Sequence, residues 1–389
     1  MKSFVQPWRS HIVGILLFAC IAGDSHGAAD SNAELPDILE PGDIVLGQSA
    51  DLSGQYANIS RQFLAGANVY FAQLNAQGGV RGRNIKLVSL DDKGDPELAV
   101  RNTYQFLRTD KVVALFGYAS ALTSSAVLPI VNQKNIPFFA PITGSRIVYF
   151  PFNRYVFTIR ASYLDEYKYL FSHFSQIGLK RLAIFNDAAG LPYTAVMQAM
   201  IAHAKAELVA SESGLGRDVD KIADNLLQAR PDVIMFMSIS QQVNGDLIKA
   251  LRLKGYLGYF YCASLVCSPL LTDDLQDAAS GMIISQVVPF PWRASSPIVH
   301  EYQQAMLKAR IRKFSYLGLE GFIAAKVLAE GLNRAGPNMT REKLISALEG
   351  INQKNYKIGG FRINFSTSNH HGSTYVDTTT INKRGTIVH

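Results

Sequence analysis

The chain has 389 residues, 48% of them hydrophobic and 18% charged, which describes a folded protein long enough for two domains and excludes a disordered one. Its formal charge of +7 is scattered, and the densest basic group, KARIRKF at 308–314, reads as a solvated helix face. Nucleic acid, which selects for a basic patch or tail, is therefore not an expected partner.

In chain order, MKSFVQPWRSH carries Lys2 and Arg9, IVGILLFACIA (12–22) is apolar, and GDSHGAAD supplies small residues. A charged start, a short apolar middle and a small-residue end are the three parts of an export signal. Cleavage is expected near Gly27 to Ala29, which makes 1–28 a signal peptide. Cys20 ends a lipobox-like LFAC and offers lipid attachment as a second reading. No later run reaches the roughly 18 apolar residues of a membrane span, so the mature protein is expected to be soluble and exported.

From residue 43 strands and helices alternate. DIVLGQSA (43–50) predicts a strand, and ISRQFLAGANVYFAQLNAQGG (59–79) a helix with Ile59, Phe63, Ala67, Tyr70, Phe71 and Leu74 on one stripe. IKLVSL (85–90), the helix PELAVRNTYQFLRTD (96–110), VVALFG, a further helix and IPFFAP (136–141) continue the pattern. The acidic SLDDKGDPE (89–97) lacks the spacing of a cation loop and reads as a turn capping the helix that starts at Pro96. A second series runs through RYVFTIRAS (154–162), helix 166–177, strand 181–185, helix 194–208, strand 232–237, helix 242–253 and strand 259–263. MIISQVVPFPW (282–292) then leads to helices 297–310 and 317–335 and to one more capped by Thr340. The tail at 361–381 alternates at period two with a turn at His370–Ser373, which predicts a hairpin. Such βαβα alternation implies parallel sheets covered by helices on both faces, and two series imply two α/β lobes.

Chemistry is sparse. The chain has no nucleophile elbow, zinc-protease, Walker or dinucleotide motif, and nothing points to a metal or a cofactor. Asp165 and Asp187 are the only acids that an enzyme reading would enlist, and neither has a recognisable partner, so a binding protein is expected rather than an enzyme. The paired histidines of NHHGS (369–373) point to opposite faces of an extended chain and read as a surface turn. Cys262 and Cys267 either close a small disulfide loop or remain free thiols. In LFGYASALTSSAVLP (115–129), Ser120 and Thr123 stand where a strand hands over to a helix. They serve there as an N-cap or as a cradle for a polar group at the carboxyl end of the sheet.

Taken together, LGQSADLSGQYANISRQFLAGANVYFAQLNAQGGVRGRNIKLVSLDDKGDPELAVRNT, LFGYASALTSSAVLPIVNQKNIPFFAPITGS, RYVFTIRASYLDEY, SQVVPFP, LGLEGFIAAKVLAEGLNRAGP and GGFRINFS, in this order, resemble the Leu/Ile/Val-binding family of periplasmic solute-binding proteins. The resemblance implies a type I periplasmic binding fold: two doubly wound parallel-sheet lobes joined by a three-strand hinge. Lobe one would hold 43–160 and 289–358, and lobe two 161–288 and 359–389. It implies an ABC transporter substrate-binding protein, a monomer that captures a small polar solute in the cleft and hands it to a permease in the inner membrane. Branched-chain and other amino acids are among the candidate ligands, with small carboxylates and amides. A sensor that reports ligand occupancy to a signalling partner is the alternative. Carried over residue by residue, the family's first-lobe serine falls on Ala121 and its threonine on Gly144. Its second-lobe aspartate falls on Asp165, its tyrosine on Ile239 or Ser240, and its glutamate on Ser264. Ser120, Thr123, Thr143 and Ser145 stand near enough to replace the first-lobe hydroxyls, with Ile142 and Tyr163 alongside. Asp165 is then the one charged group expected to meet an ammonium.

Overall fold

The strand at Ile44–Ala50 (β1) reads IVLGQSA and is buried at nearly every position, as expected of a central strand covered on both faces. In the computed structural model, which describes residues 42–389 apart from 188–192, 204, 215, 217, 239, 268–270, 272–273, 384–386 and 389, it forms the middle of a parallel sheet. β1 pairs with β2 (Ile85–Asp91) on one side and β3 (Ala114–Phe116) on the other. β4 (Phe138–Phe139) and β5 (Val156–Phe157) extend it, giving the order β2-β1-β3-β4-β5. The connections are α1 (Ala57–Ala76), α2 (Pro96–Gln105) with a π-helical turn at Phe106–Asp110, and α3 (Ala121–Gln133). The expected cap at the second of these is present: Asp95 accepts from the N–H groups of Glu97 and Leu98, with Pro96 in the first turn.

The chain then builds a second sheet by the same winding. α4 (Tyr163–Gln176) leads to β6 (Arg181–Asn186), flanked by β7 (Glu207–Ser213) and β8 (Val233–Phe236) and extended by β9 (Tyr259–Cys262) and β10 (Met282–Gln286). Helices α5 (Thr194–His203), α6 (Val219–Gln228) and α7 (Gln241–Leu253) connect them. Two antiparallel strands, β11 (Asp377–Ile381) and β12 (Ile387–Val388), complete the order β12-β11-β10-β9-β8-β6-β7.

Each sheet has its own hydrophobic core. α8 (Pro297–Lys308), α9 (Tyr316–Ala335) and α10 (Arg341–Glu349) return to the first. There α9 lies directly on α1: a Cβ on Gly66 would come within 1.7 Å of the Gly318 carbonyl oxygen. The chain passes from one core to the other three times, between Ile159 and Tyr163, Ile284 and Val288, and Phe365 and Ile381.

Several expectations need correction. The tail does not form a hairpin around His370–Ser373: Phe361, Ile363 and Phe365 pack into the first core, so this part of 359–389 does not belong with the second sheet. The period-two pattern records an extended chain lying on a core; before β11, which pairs with β10, its pairing is limited to isolated bridges, Ser366 with Asn369 and His371 with Thr158. The helix expected over 194–208 stops at His203, and Glu207–Ser213 is an edge strand. Its half-buried ELVASES carries too many polar residues to read as a core strand. Ile239 and the expected signal peptide with Cys20 lie outside the described residues.

Candidate ligand-binding site

In a parallel sheet wound outward from its middle, the loops leaving the strands on either side of the switch point part and leave a crevice at the carboxyl ends. Both sheets have such a point, between β1 and β3 and between β6 and β8. The first contributes Tyr56 and Ile59 after β1, Ala119, Ser120 and Ala121 after β3, and Ile142, Thr143 and Ser145 after β4. The second contributes Tyr193 after β6, Met237 after β8, and Leu265 and Val266 after β9, with Tyr163 and Tyr167 from α4. Together they line a cavity of about 70 Å³. A single water needs roughly 10–15 Å³ by the same measure, so this is room for a small solute.

The first wall is set by backbone geometry. Gly117 turns the chain out of β3 at φ 62°, where a Cβ would strike the Phe63 ring at 2.7 Å. Ser120 follows at φ 79° and ψ 155°, a conformation essentially reserved for glycine that costs an L-residue about 1–3 kcal/mol. Its hydroxyl accepts from the Thr123 N–H at 3.2 Å, so the capping role expected of it is real. Ser120 also lines the cavity, so both readings of the LFGYAS junction apply to one residue. The N–H groups of Ala121 and Leu122, in the first turn of α3, have no intrahelical acceptor. Thr123 is buried behind them with its hydroxyl on the Ala119 carbonyl, outside the cavity lining.

Ile142 and Thr143 line the cavity as expected; Gly144 does not. Its carbonyl accepts the Tyr163 N–H at 2.8 Å, and a Cβ there would meet the Tyr163 ring at 2.6 Å. The aromatic ring occupies the space that a threonine side chain would need.

The second wall is aromatic. Tyr163 and Tyr167 are one helical turn apart on α4, and both meet Tyr193 edge-on, at 6.4 Å and 77° and at 5.7 Å and 72°. Burial pushes the Tyr56, Tyr163, Tyr167 and Tyr193 phenols above their ordinary values, so each is a neutral hydroxyl. Tyr193 also reaches across the cleft, where its oxygen accepts the Arg146 N–H at 2.8 Å. The hydroxyl of Tyr167, a residue only 2% exposed, has no hydrogen-bond partner among the described residues.

The charged and polar groups expected in this wall are turned elsewhere. Asp165 accepts from the Ser162 N–H at 3.0 Å and the Ser162 hydroxyl at 2.6 Å, closing the start of α4 as a capping box, and it does not line the cavity. Ser240 caps α7 by accepting from the Val243 N–H. Ser264 donates from its N–H and its hydroxyl to Glu166, at 2.6 and 3.1 Å, and accepts from Arg160 Nη2 at 2.5 Å. A carboxylate thus does reach the Ser264 position, from α4. It is fully buried, hydrogen-bonded by Ser285 at 2.6 Å and paired with Arg160 at 3.7 Å. On its other side Arg160 faces Glu320 of α9 at 3.5 Å. Burial raises both carboxyl groups and the guanidinium opposes the rise. Arg160 lies on a crossing between the cores, Glu166 belongs to the second lobe and Glu320 to the first. The cluster ties the lobes together and presents no charge to the cavity.

A model of the family described as periplasmic binding protein matches residues 43–386. The chain belongs to the periplasmic binding protein family. Over 305 residues, 76% of this chain and 80% of the other, it is 22% identical to an amino acid binding protein of Pseudomonas aeruginosa. It is 31% identical to Leu/Ile/Val-binding protein homolog 2 of Brucella abortus over 101 residues, 26% of this chain and 27% of that one. A substrate-binding periplasmic protein from Ralstonia solanacearum superposes with a TM-score of 0.77 at 29% identity, over 89% of this chain and 99% of that one. These relatives are solute-binding proteins rather than enzymes. No helix among the described residues of this periplasmic binding protein is long and apolar enough to cross a membrane.

Of the expected site residues, the fold brings Ser120, Ala121, Ile142, Thr143, Ser145 and Tyr163 together around the cavity. It leaves Thr123, Gly144, Asp165, Ser240 and Ser264 behind it. Tyr56, Ile59, Ala119, Tyr167, Tyr193, Met237, Leu265 and Val266 complete the lining and were not among the expected site residues. The four-residue spacing of Tyr163 and Tyr167 was the one sequence signal available for them. Cys262 and Cys267 form a disulfide that closes the loop carrying Leu265 and Val266.

Proposed function

We propose that this periplasmic binding protein captures a small solute between its lobes by hinge closure and delivers it to an ABC permease in the inner membrane. The observation that carries the reading is the cavity itself, whose walls come from the carboxyl ends of two separate sheets. A solute that touches both walls has more contacts in the closed than in the open form, and that difference shifts the population toward closure. The Arg146–Tyr193 hydrogen bond supports a closed form in which the lobes meet over the solute. Delivery to a permease follows from the resemblance to receptors of ABC importers.

A thermal-shift screen of small acids, amides and amino acids identifies a solute, since a ligand bound only by the folded state raises the melting temperature. Small-angle scattering with that solute is then expected to show a smaller radius of gyration. A solute that binds with no compaction defeats hinge capture. Uptake into cells that retain the permease but lack this protein tests delivery, and undiminished uptake defeats it.

A further inference from the structure

We infer that the solute has an apolar body, a hydrogen-bond acceptor oxygen at one end, and no ammonium group. This deepens the reading of the cavity as the solute site and rests on it. Among the described residues, none that lines the cavity is Asp, Glu, Lys, Arg or His. The two acids nearest in sequence to its aromatic wall are both engaged, Asp165 by Ser162 and Glu166 by Arg160, Ser264 and Ser285. Asp187 is near enough to act on Tyr56 and Tyr167 but is not part of the lining, so an ammonium closed into this space touches neutral hydroxyls and apolar surface, and a buried cation with no carboxylate in contact costs several kcal/mol.

The polar groups that remain are donors in search of an acceptor. Tyr167, 2% exposed, lines the cavity, and its hydroxyl is hydrogen-bonded by none of the described residues. In the other wall Ala121 lines the cavity, and its N–H, in the first turn of α3, has no intrahelical acceptor. A carboxylate or carbonyl oxygen satisfies both. The rest of the lining, Ile59, Met237, Leu265, Val266 and the tyrosine rings, fits a branched aliphatic or aromatic body.

Calorimetry on the mature protein with two matched pairs tests this: 3-phenylpropanoate against L-phenylalanine, and 4-methylpentanoate against L-leucine. Within each pair the amino group is the only difference. In at least one pair the deaminated acid is expected to bind about a hundredfold tighter or more, the scale set by stranding an ammonium. An amino acid binding as tightly as its deaminated partner overturns the inference, and so does failure of all four to bind. Binding of 3-phenylpropanamide alongside the acid supports a carbonyl acceptor; binding of the acid alone supports a carboxylate. Tyr167→Phe is expected to weaken the acid about tenfold without lowering the melting temperature, as loss of one buried hydrogen bond does. Unchanged affinity overturns the role given to Tyr167. Ala121→Trp, at the half-buried rim, separates the two levels of the argument. If the acid binds this variant as before, the cavity is not the solute site. If binding is lost in the variant but an amino acid is preferred in the parent, the cavity stands and the ligand class falls.

Discussion

The two walls of the cavity are built from the same winding of strands yet offer opposite chemistry. Beside Tyr56, Ile59 and Ile142 the first-lobe wall carries the small hydroxyls of Ser120, on its strained turn, Thr143 and Ser145, whereas the second-lobe wall is made of tyrosine rings and aliphatic side chains alone among the described residues. The fold therefore fixes where a crevice opens, and the side chains at the ends of a few strands decide what it holds.

The largest expected effect tests whether the walls are held together by the buried cluster. Arg160→Met leaves Glu166 and Glu320 buried without their cation and is expected to cost about 3–5 kcal/mol in denaturant unfolding. A loss below about 1 kcal/mol, the scale of an exposed pair, shows that the cluster does not join the lobes. Ser120→Gly sharpens the contrast from the first wall. Releasing the strained backbone outweighs the few tenths lost with the cap, so stability is expected to rise by about 1 kcal/mol. A drop in melting temperature contradicts the strained geometry. Asp165→Ala tests the second wall: about 1 kcal/mol of stability is expected to go with the capping box, while solute affinity stays within about twofold. A clear loss of affinity in calorimetry means that charge, not shape, governs that wall.

The smallest effect is a pH slope. Burial holds the His173 imidazole below its ordinary value of 6.5, where it hydrogen-bonds the Tyr261 hydroxyl at 2.8 Å. Above that value the ring is neutral in the folded and the unfolded chain, and stability is unaffected. As pH falls through it, the unfolded chain takes up a proton that the folded ring resists, so stability declines. His173→Gln is expected to make that decline shallower between about pH 7 and about pH 5, measured as unfolding midpoint against pH. An unchanged slope removes His173 from the account.

Local signals carried far into the architecture. The alternating apolar runs placed β1, β2, β3, β6, β8, β9 and β10, and Asp95, Ser120 and Thr340 cap the helices they were expected to cap. These features depend on neighbours a few residues away, which a sequence displays directly. The cavity was half legible for the same reason. Residues just beyond β3 and β4 follow from strand ends, whereas Tyr193, Met237 and Leu265 meet them only after two sheets have folded and come together. Asp165 shows the opposite failure: its position matches the family's acid, but Ser162 three residues earlier draws it into a cap. Nor does sequence spacing show that Glu166 reaches the turn at Ser264, 98 residues away, because that contact is made only when α4 packs beneath β9 and β10.

The disulfide between Cys262 and Cys267 encloses two side chains that face the cavity, and one of them, Leu265, also borders a neighbouring void of about 30 Å³ with Gln62, Tyr316 and Thr379. Thiols stay reduced in the cytosol and oxidise in the periplasm, where this family works. A covalent bond that a reducing compartment would not keep thus closes the loop that carries Leu265 and Val266 to the cavity.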